Sequence, residues 1–153
     1  MEKKIMIGDK ELNFKSSAAT NILHKRAFKE DILVKLAEHT KNLKEMQAMK
    51  VKVDALKVST DKSEEEVLAE LNKILASDAF VSTEKFSSET LPKLAYIMWL
   101  EGNEKIGTLF TKLNEENYLS WLMTIDQDEL LTLTGEVMDI WQAGAKTHST
   151  PKN

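Results

Sequence analysis

Three histidines, His24, His39 and His148, and two carboxylate runs, Glu64-Glu65-Glu66 and Asp126-Gln127-Asp128-Glu129, are the residues best suited to acid–base or metal chemistry in this chain. No two of the histidines stand three or four residues apart, so no helix turn presents a pair of imidazoles to a metal ion. His24 lies near Arg26 on a short amphipathic stretch and reads as a surface or half-buried residue; His148 falls in a polar C-terminal tail. Glu64, Glu65 and Glu66 are adjacent and point in different directions around a helix. A role at the positive end of a helix dipole suits them better than ligation. The run from Asp126 begins like a calcium loop but lacks the glycine of its sharp turn and continues into a helix, so capping accounts for it. The sequence has no cysteine, which removes disulfides, thiolate nucleophiles and zinc–thiolate sites. No phosphate-cradling glycine loop, serine elbow or His-Glu-x-x-His segment occurs. The expectation is a non-enzymatic protein with no catalytic residue, no cofactor and no metal.

Binding remains, and the composition limits its form. A chain of 153 residues suits one domain able to bury roughly 68–70% of its unfolded surface without a metal or disulfide. Five glycines and two prolines leave little material for tight turns and favour long helices over many strands. The apolar stretch Ile5-Met6-Ile7 is too short for a signal core, and no apolar run approaches the ~18 residues of a membrane span. A soluble protein that stays where it is made is expected, with no membrane partner. Charge is asymmetric: residues 1–62 hold 14 Lys+Arg against 9 Asp+Glu, a balance of +5, and residues 63–153 hold 7 against 16, a balance of −9. Such halves can pack copies head to tail, or the basic half can meet nucleic acid. The basic residues are mostly single lysines without interleaved aromatics, which reads first as a solvated surface.

The elements that would position any site are largely helical. Residues 3–14 predict a β-hairpin turning at Gly8-Asp9, with Ile5 opposite Leu12 and Lys3 opposite Phe14. Ser16-Ser17 is expected to cap a first helix with Ala18, Ile22, Ala27 and Phe28 on its apolar face. Glu30 or Asp31 begins the next helix, carrying Ile32, Leu33, Leu36, Ala37 and Leu43. Met46, Met49, Val53 and Leu56 follow the 3-4-3 spacing of a helical seam, while the β-branched Val51, Val53 and Val58 argue against one helix running throughout. A loop is expected at Ser59-Thr60-Asp61-Lys62.

Ser63 and Glu66 form a capping box for a helix whose stripe is Val67, Leu68, Leu71, Ile74 and Leu75. Residues 78–87 read as a polar connection over Phe80, Val81 and Phe86. From about Ser88 to Leu100, with Pro92 in its first turn, comes a helix apolar almost all round, the expected centre of the domain. Asn114 caps a helix with Tyr118 and Trp121. Asp126 or Asp128 caps the last one, with Leu130, Leu131, Leu133, Val137, Met138, Ile140 and Trp141 on its face, ending at Ala143-Gly144. The whole is expected to be mainly α, a compact multi-helix domain over residues 1–144 with a short N-terminal β-hairpin, followed by a disordered tail over 145–153.

Several of these segments together resemble the tail assembly chaperones of Gram-positive siphophages and their prophages. The resemblance rests on the Gly8-Asp9 hairpin, the small run Ser16-Ser17-Ala18-Ala19-Thr20, Lys25-Arg26 with Phe28, and Glu30-Asp31-Ile32-Leu33. Leu94-Ala95-Tyr96-Ile97-Met98, the Asn117–Leu122 stretch and the Ile140-Trp141 ending are similar as well. Residues 40–80 depart from it, being longer and richer in lysine. The resemblance implies a non-enzymatic protein of the host bacterium's cytoplasm, absent from the mature virion. It would bind the tape measure protein, assist assembly of tail tube protein, and possess the means to self-associate. The residues expected to meet a partner are Phe14, Lys25, Arg26, Phe28, Met46, Met49, Lys50, Tyr118 and Trp121. The alternative reading is a small nucleic-acid-binding regulator using the basic N-terminal half.

Overall fold

The computed structural model describes residues 1–58 and 63–149, with side chains as far as Gly144. The expected loop at Ser59–Lys62 and the last four residues of the expected tail lie outside the described residues. The protein is mainly helical, with a two-stranded antiparallel hairpin at its N-terminus. The chain divides into two compact units, Met1–Leu33 with Ser88–Asn153, and Val34–Ser87.

The first unit begins with β1 (Glu2–Ile7) and β2 (Lys10–Lys15), joined at Gly8-Asp9. Gly8 takes φ +63°, a left-handed conformation that glycine adopts without steric cost. The register pairs Ile5 with Leu12 and Lys3 with Phe14, as the alternation of side chains requires. Ile5, Ile7 and Phe14 are buried and Leu12 half-buried, so the apolar side of the hairpin is covered. A lone hairpin is marginal in water, and this one packs on helices.

The covering element is α5 (Leu91–Asn103), with Pro92 in its first turn where the missing N–H costs nothing. Leu94, Ala95, Tyr96, Ile97, Met98 and Leu100 are all essentially inaccessible. A helix apolar on every side has to be surrounded, and β2, α1 (Thr20–Phe28), α6 (Ile106–Thr111), α7 (Glu115–Leu122) and α8 (Gln127–Ser149) all pack on it. Its C-terminal end is clamped to the hairpin by two amides. Asn13 Nδ2 donates to the Gly102 carbonyl at 2.9 Å, and Asn103 Nδ2 donates to the Asn13 carbonyl at 2.8 Å. These bonds satisfy backbone carbonyls where the strand meets the helix end.

The caps of α7 and α8 are local. Asn114 Oδ1 accepts from the Asn117 N–H at 2.8 Å, and Asp126 Oδ1 accepts from the Glu129 N–H at 2.8 Å. Glu129 Oε2 accepts in return from the Asp126 N–H at 3.4 Å, completing a reciprocal box. The buried stripe of α8 is Leu133, Val137, Ile140 and Trp141, whereas Leu131 is exposed. The helix runs through Ala143-Gly144 to Ser149, beyond the end expected there. At Gly144 a Cβ would collide with the Ser16 side chain, so this glycine serves close packing rather than termination.

In the second unit, α2 (Ile32–Val58) is one continuous helix despite its valines, α3 spans Glu64–Leu75, and α4 spans Asp78–Lys85. The propensity cost of a few β-branched residues is small beside the continuity of the stripe Asn42, Met46, Met49, Val53 and Leu56, half-buried or buried throughout. Ser63 caps α3 as expected, its hydroxyl oxygen accepting from the Glu66 N–H at 3.3 Å. The expected burial of the α3 stripe does not occur. No residue of that helix is buried, and Leu68 and Leu75 are 57% and 54% exposed. The expected polar connection at 78–87 is instead α4 followed by a π-helical turn at Phe86–Thr90. Ser77 is the reason, since its Oγ accepts from the Phe80 N–H at 3.2 Å and starts a helix where the side-chain pattern is weak.

Two glycine substitutions separate close approach from helix propensity. A Cβ at Gly102 would stand 2.5 Å from the Asn13 carbonyl oxygen, while one at Gly135 meets nothing within 4 Å. Gly102→Ala is expected to destabilise by about 1–3 kcal/mol through overpacking. Gly135→Ala is expected to stabilise α8 by up to about 1 kcal/mol. Urea unfolding of both variants checks this, and similar shifts of the same sign would contradict the packing described.

Candidate functional site

α1 carries the polar groups that the fold treats most unusually. Its start is not the serine cap expected at Ser16-Ser17. Ala19 occupies the N-cap position without a side-chain bond. The Ser17 hydroxyl is engaged elsewhere, donating to Glu101 Oε1 and accepting from the Ala19 N–H. Thr20 Oγ1 donates to the other carboxylate oxygen of Glu101 at 2.6 Å and accepts from the Ser17 N–H at 2.9 Å. Each hydroxyl thus gives its proton to a charged acceptor from α5 while its oxygen still takes a backbone N–H. Burial raises the Glu101 pKa above its ordinary value, and the two hydroxyl bonds oppose that shift.

The buried face of α1 is Thr20, Leu23 and His24, while Ile22 is 69% exposed, the reverse of the apolar face expected there. His24 is fully enclosed, not a surface residue. Its Nε2 lies 2.9 Å from Glu30 Oε1, where an N–H can donate to the carboxylate. Its Nδ1 is buried with no partner among the described residues, which suits the lone pair of a neutral ring. Burial is the main cause of a lowered His24 pKa, with Lys93 adding to the shift and Glu30 and Asp31 opposing it.

From His24 an aromatic series crosses the unit. Phe28 stands 5.2 Å from the His24 ring and 5.2 Å edge-on from Tyr118, and Tyr118 stands 5.7 Å from Tyr96. Tyr96 and Trp99 each pack on Trp121, at 5.4 and 5.8 Å. Burial pushes the Tyr96 and Tyr118 hydroxyls up to about 12, so both stay protonated and polar only as donors and acceptors. The Tyr96 hydroxyl donates to the Lys112 carbonyl at 2.8 Å. The series joins α1, α5 and α7 without an opening to solvent at His24. The His24–Glu30 pair therefore organises the fold rather than meeting a substrate.

The nine residues expected to meet a partner fall into four groups. Phe14 is fully enclosed, and Tyr118 and Trp121 are nearly so; in this fold they hold the first unit together. Phe28 is half-buried among His24, Tyr118 and Lys93. Met46 and Met49 lie half-buried on the α2 seam of the second unit, with Lys50 exposed beside them. Lys25 and Arg26 are exposed on α1, and Arg26 lies 4.8 Å over the Phe110 ring.

That last contact borders a groove of about 370 Å³ in the first unit. Its floor is Ala19, Ile22 and Leu23 of α1 with Ile106, Leu109 and Phe110 of α6. Lys15, Arg26, Glu101 and Glu104 stand around it. Nothing in the sequence signals this groove, since Ile22 reads there as part of a buried face, and only the structure shows Ile22 and Ile106 exposed. In the second unit the exposed side of α2 carries Ala37, Lys41, Lys44, Ala48, Val51, Ala55 and Val58, at spacings that alternate between four and three residues. A hollow of about 350 Å³ in the same unit is lined by Leu56, Lys57, Glu64, Val67 and Leu68. Among the described residues no three His, Asp or Glu side chains stand together as a metal site, and no helix is long and apolar enough to cross a membrane.

The buried histidine makes stability depend on pH. Because the His24 pKa is lowered on folding, the unfolded chain binds its proton more readily. The contribution is complete above the ordinary value of 6.5 and is lost as pH falls from there through the folded pKa. His39, stacked 4.0 Å from Phe86 and also lowered by burial, acts in the same sense. His24→Gln is expected to flatten part of the fall in unfolding free energy between neutral and mildly acid pH. Subtracting the two profiles cancels Glu101, and a wild-type slope in the variant would refute the assignment.

Comparison with protein-family models, with curated proteins and with solved structures found no significant match.

Proposed function

We propose that this protein is a tail assembly chaperone of the Gram-positive siphophage type, a non-enzymatic partner of the tape measure protein that assists assembly of tail tube protein. The sequence resemblance supports the reading. Its quoted segments fall on the β1–β2 turn, the approach to α1 and α1 itself, the start of α2, α5, α7 and the middle of α8, which continues to Ser149. The observation that carries it furthest is the exposed side of α2. On this helix of 27 residues, that side carries Ala37, Lys41 and Lys44 and then Ala48, Val51, Ala55 and Val58, small apolar residues at helical spacing that stay open to solvent over about 15 Å. Val51 and Val58 are 58% and 84% exposed.

Alanine and valine at such positions let a second helix approach closely, as in helix-to-helix recognition generally. An elongated apolar strip is also the surface a monomeric protein has least reason to keep. A tape measure protein presents long amphipathic helices that aggregate without cover. Lys41 and Lys44, on the same side of α2, favour a client helix carrying carboxylates. Met46 and Met49 on the opposite side are half-buried and fill the α2 seam, the ordinary use of methionine.

Co-expression with the tape measure protein of the same genome, followed by affinity capture and sizing, tests this reading. A soluble complex containing several copies of the chain is expected. Ala48→Asp with Val51→Asp should abolish capture while changing stability by about 1 kcal/mol, because both positions face solvent. A tape measure protein that stays insoluble and captures nothing overturns the proposal. Binding to DNA that weakens steeply with added salt would instead support a nucleic-acid-binding regulator.

A further inference from the structure

The groove of the first unit is apolar where it is open. Ile22 is 69% exposed, Ile106 74% and Phe110 44%. The charges at its edge are not equivalent. Glu101 is held by the Ser17 and Thr20 hydroxyls, and Glu104 by Lys112 Nζ at 2.6 Å. Lys15 and Arg26 make no ion pair among the described residues, and Lys25 precedes Arg26 on the same helix. The surface therefore suits an apolar helix edge flanked by carboxylates whose charge is still available.

α3 of the second unit is such an edge. It is amphipathic, yet none of its residues is buried. Leu68 and Leu75 are each more than half exposed and stand seven residues apart, two helical turns. Glu64 lies one turn before Leu68 on the same side, with Glu65 beside it, and both are exposed. Neither glutamate makes an ion pair among the described residues.

We infer that α3 of one copy docks in the α1–α6 groove of a second copy. Leu68 and Leu75 lie on the floor formed by Ile22, Ile106 and Phe110, and Glu64 and Glu65 face Arg26 and Lys15. Apolar burial supplies the attraction, and the opposite charges set register and orientation. Each chain carries one groove and one α3, so the contact is heterologous and its repetition adds copies head to tail. The contact also gives the opposite charges of residues 1–62 and 63–153 a use, since the groove's cations come from the first segment and α3 from the second. This inference does not rest on the tape measure reading and concerns the chain alone.

Sedimentation velocity of the purified full chain, from micromolar to millimolar concentration and across a salt series, tests it. Mass should rise with concentration and fall with salt. Arg26→Glu, or Glu64→Lys with Glu65→Lys, should each weaken association by roughly tenfold or more. Placing all three substitutions in one chain should restore it, because the charges are then exchanged rather than opposed. Ile106→Asp, at a mostly exposed position, should weaken association without altering helicity by circular dichroism. A chain monomeric at every concentration, including one whose α3 occupies its own groove, overturns the inference. So does association indifferent to the charge reversals and to Ile106→Asp.

Discussion

The first unit depends on the burial of α5. A helix whose run from Leu94 to Leu100 is apolar on nearly every side cannot remain at a surface, and fully burying each such large side chain contributes about 1.5–3 kcal/mol. Covering it requires elements on all sides. The hairpin, α1, α6, α7 and α8 therefore take their positions from α5 as much as from their own sequences. The polar end of the same helix sets the alignment. Glu101 takes two hydroxyls from the segment leading into α1, and Gly102 and Asn103 take and give bonds to the Asn13 amide and carbonyl. Hydrophobic burial chooses the neighbours without direction, and these few bonds fix how they lie.

The second unit has no element comparable to α5. Val53, Ala79 and Phe86 are its buried apolar residues among those described, and α3 contributes none. Its helices keep apolar residues that the unit does not use: Ala48, Val51, Ala55 and Val58 on α2, Leu68 and Leu75 on α3. Helices of this kind gain by lying against further surface. The first unit also leaves apolar residues uncovered, at Ile22, Ile106 and Phe110, but around a saturated core that the second unit lacks.

The buried polar residues of the first unit bond within the fold. A histidine beside a glutamate often signals acid–base work, but the His24 ring is fully enclosed, with Phe28 packed on it and Tyr118 packed on Phe28. Its cost is offset by one charge-assisted bond to Glu30 and by staying neutral. Glu101, raised by burial and bonded by two hydroxyls, is likewise a structural joint.

What the sequence determined by itself was local or strongly periodic. The Gly8-Asp9 turn and its register, the Ser63, Asn114 and Asp126 caps, the central apolar helix and the stripe from Met46 to Leu56 each follow from residues within a turn or two of one another. Tertiary structure decided what depended on distant partners. Ser17 is tied to Glu101, far along the chain, which takes its hydroxyl proton while its oxygen accepts from the Ala19 N–H ahead of α1. His24 went inside, where Glu30 and the Phe28 ring meet it, and Ile22 on the other side of α1 was turned outward. The α3 stripe reads as core from its spacing, yet stays half-open because amphipathicity states which face is apolar and not whether enough partner surface exists to cover it. The groove between α1 and α6 was illegible for the same reason, since it exists only where two helices distant in sequence leave apolar residues uncovered side by side.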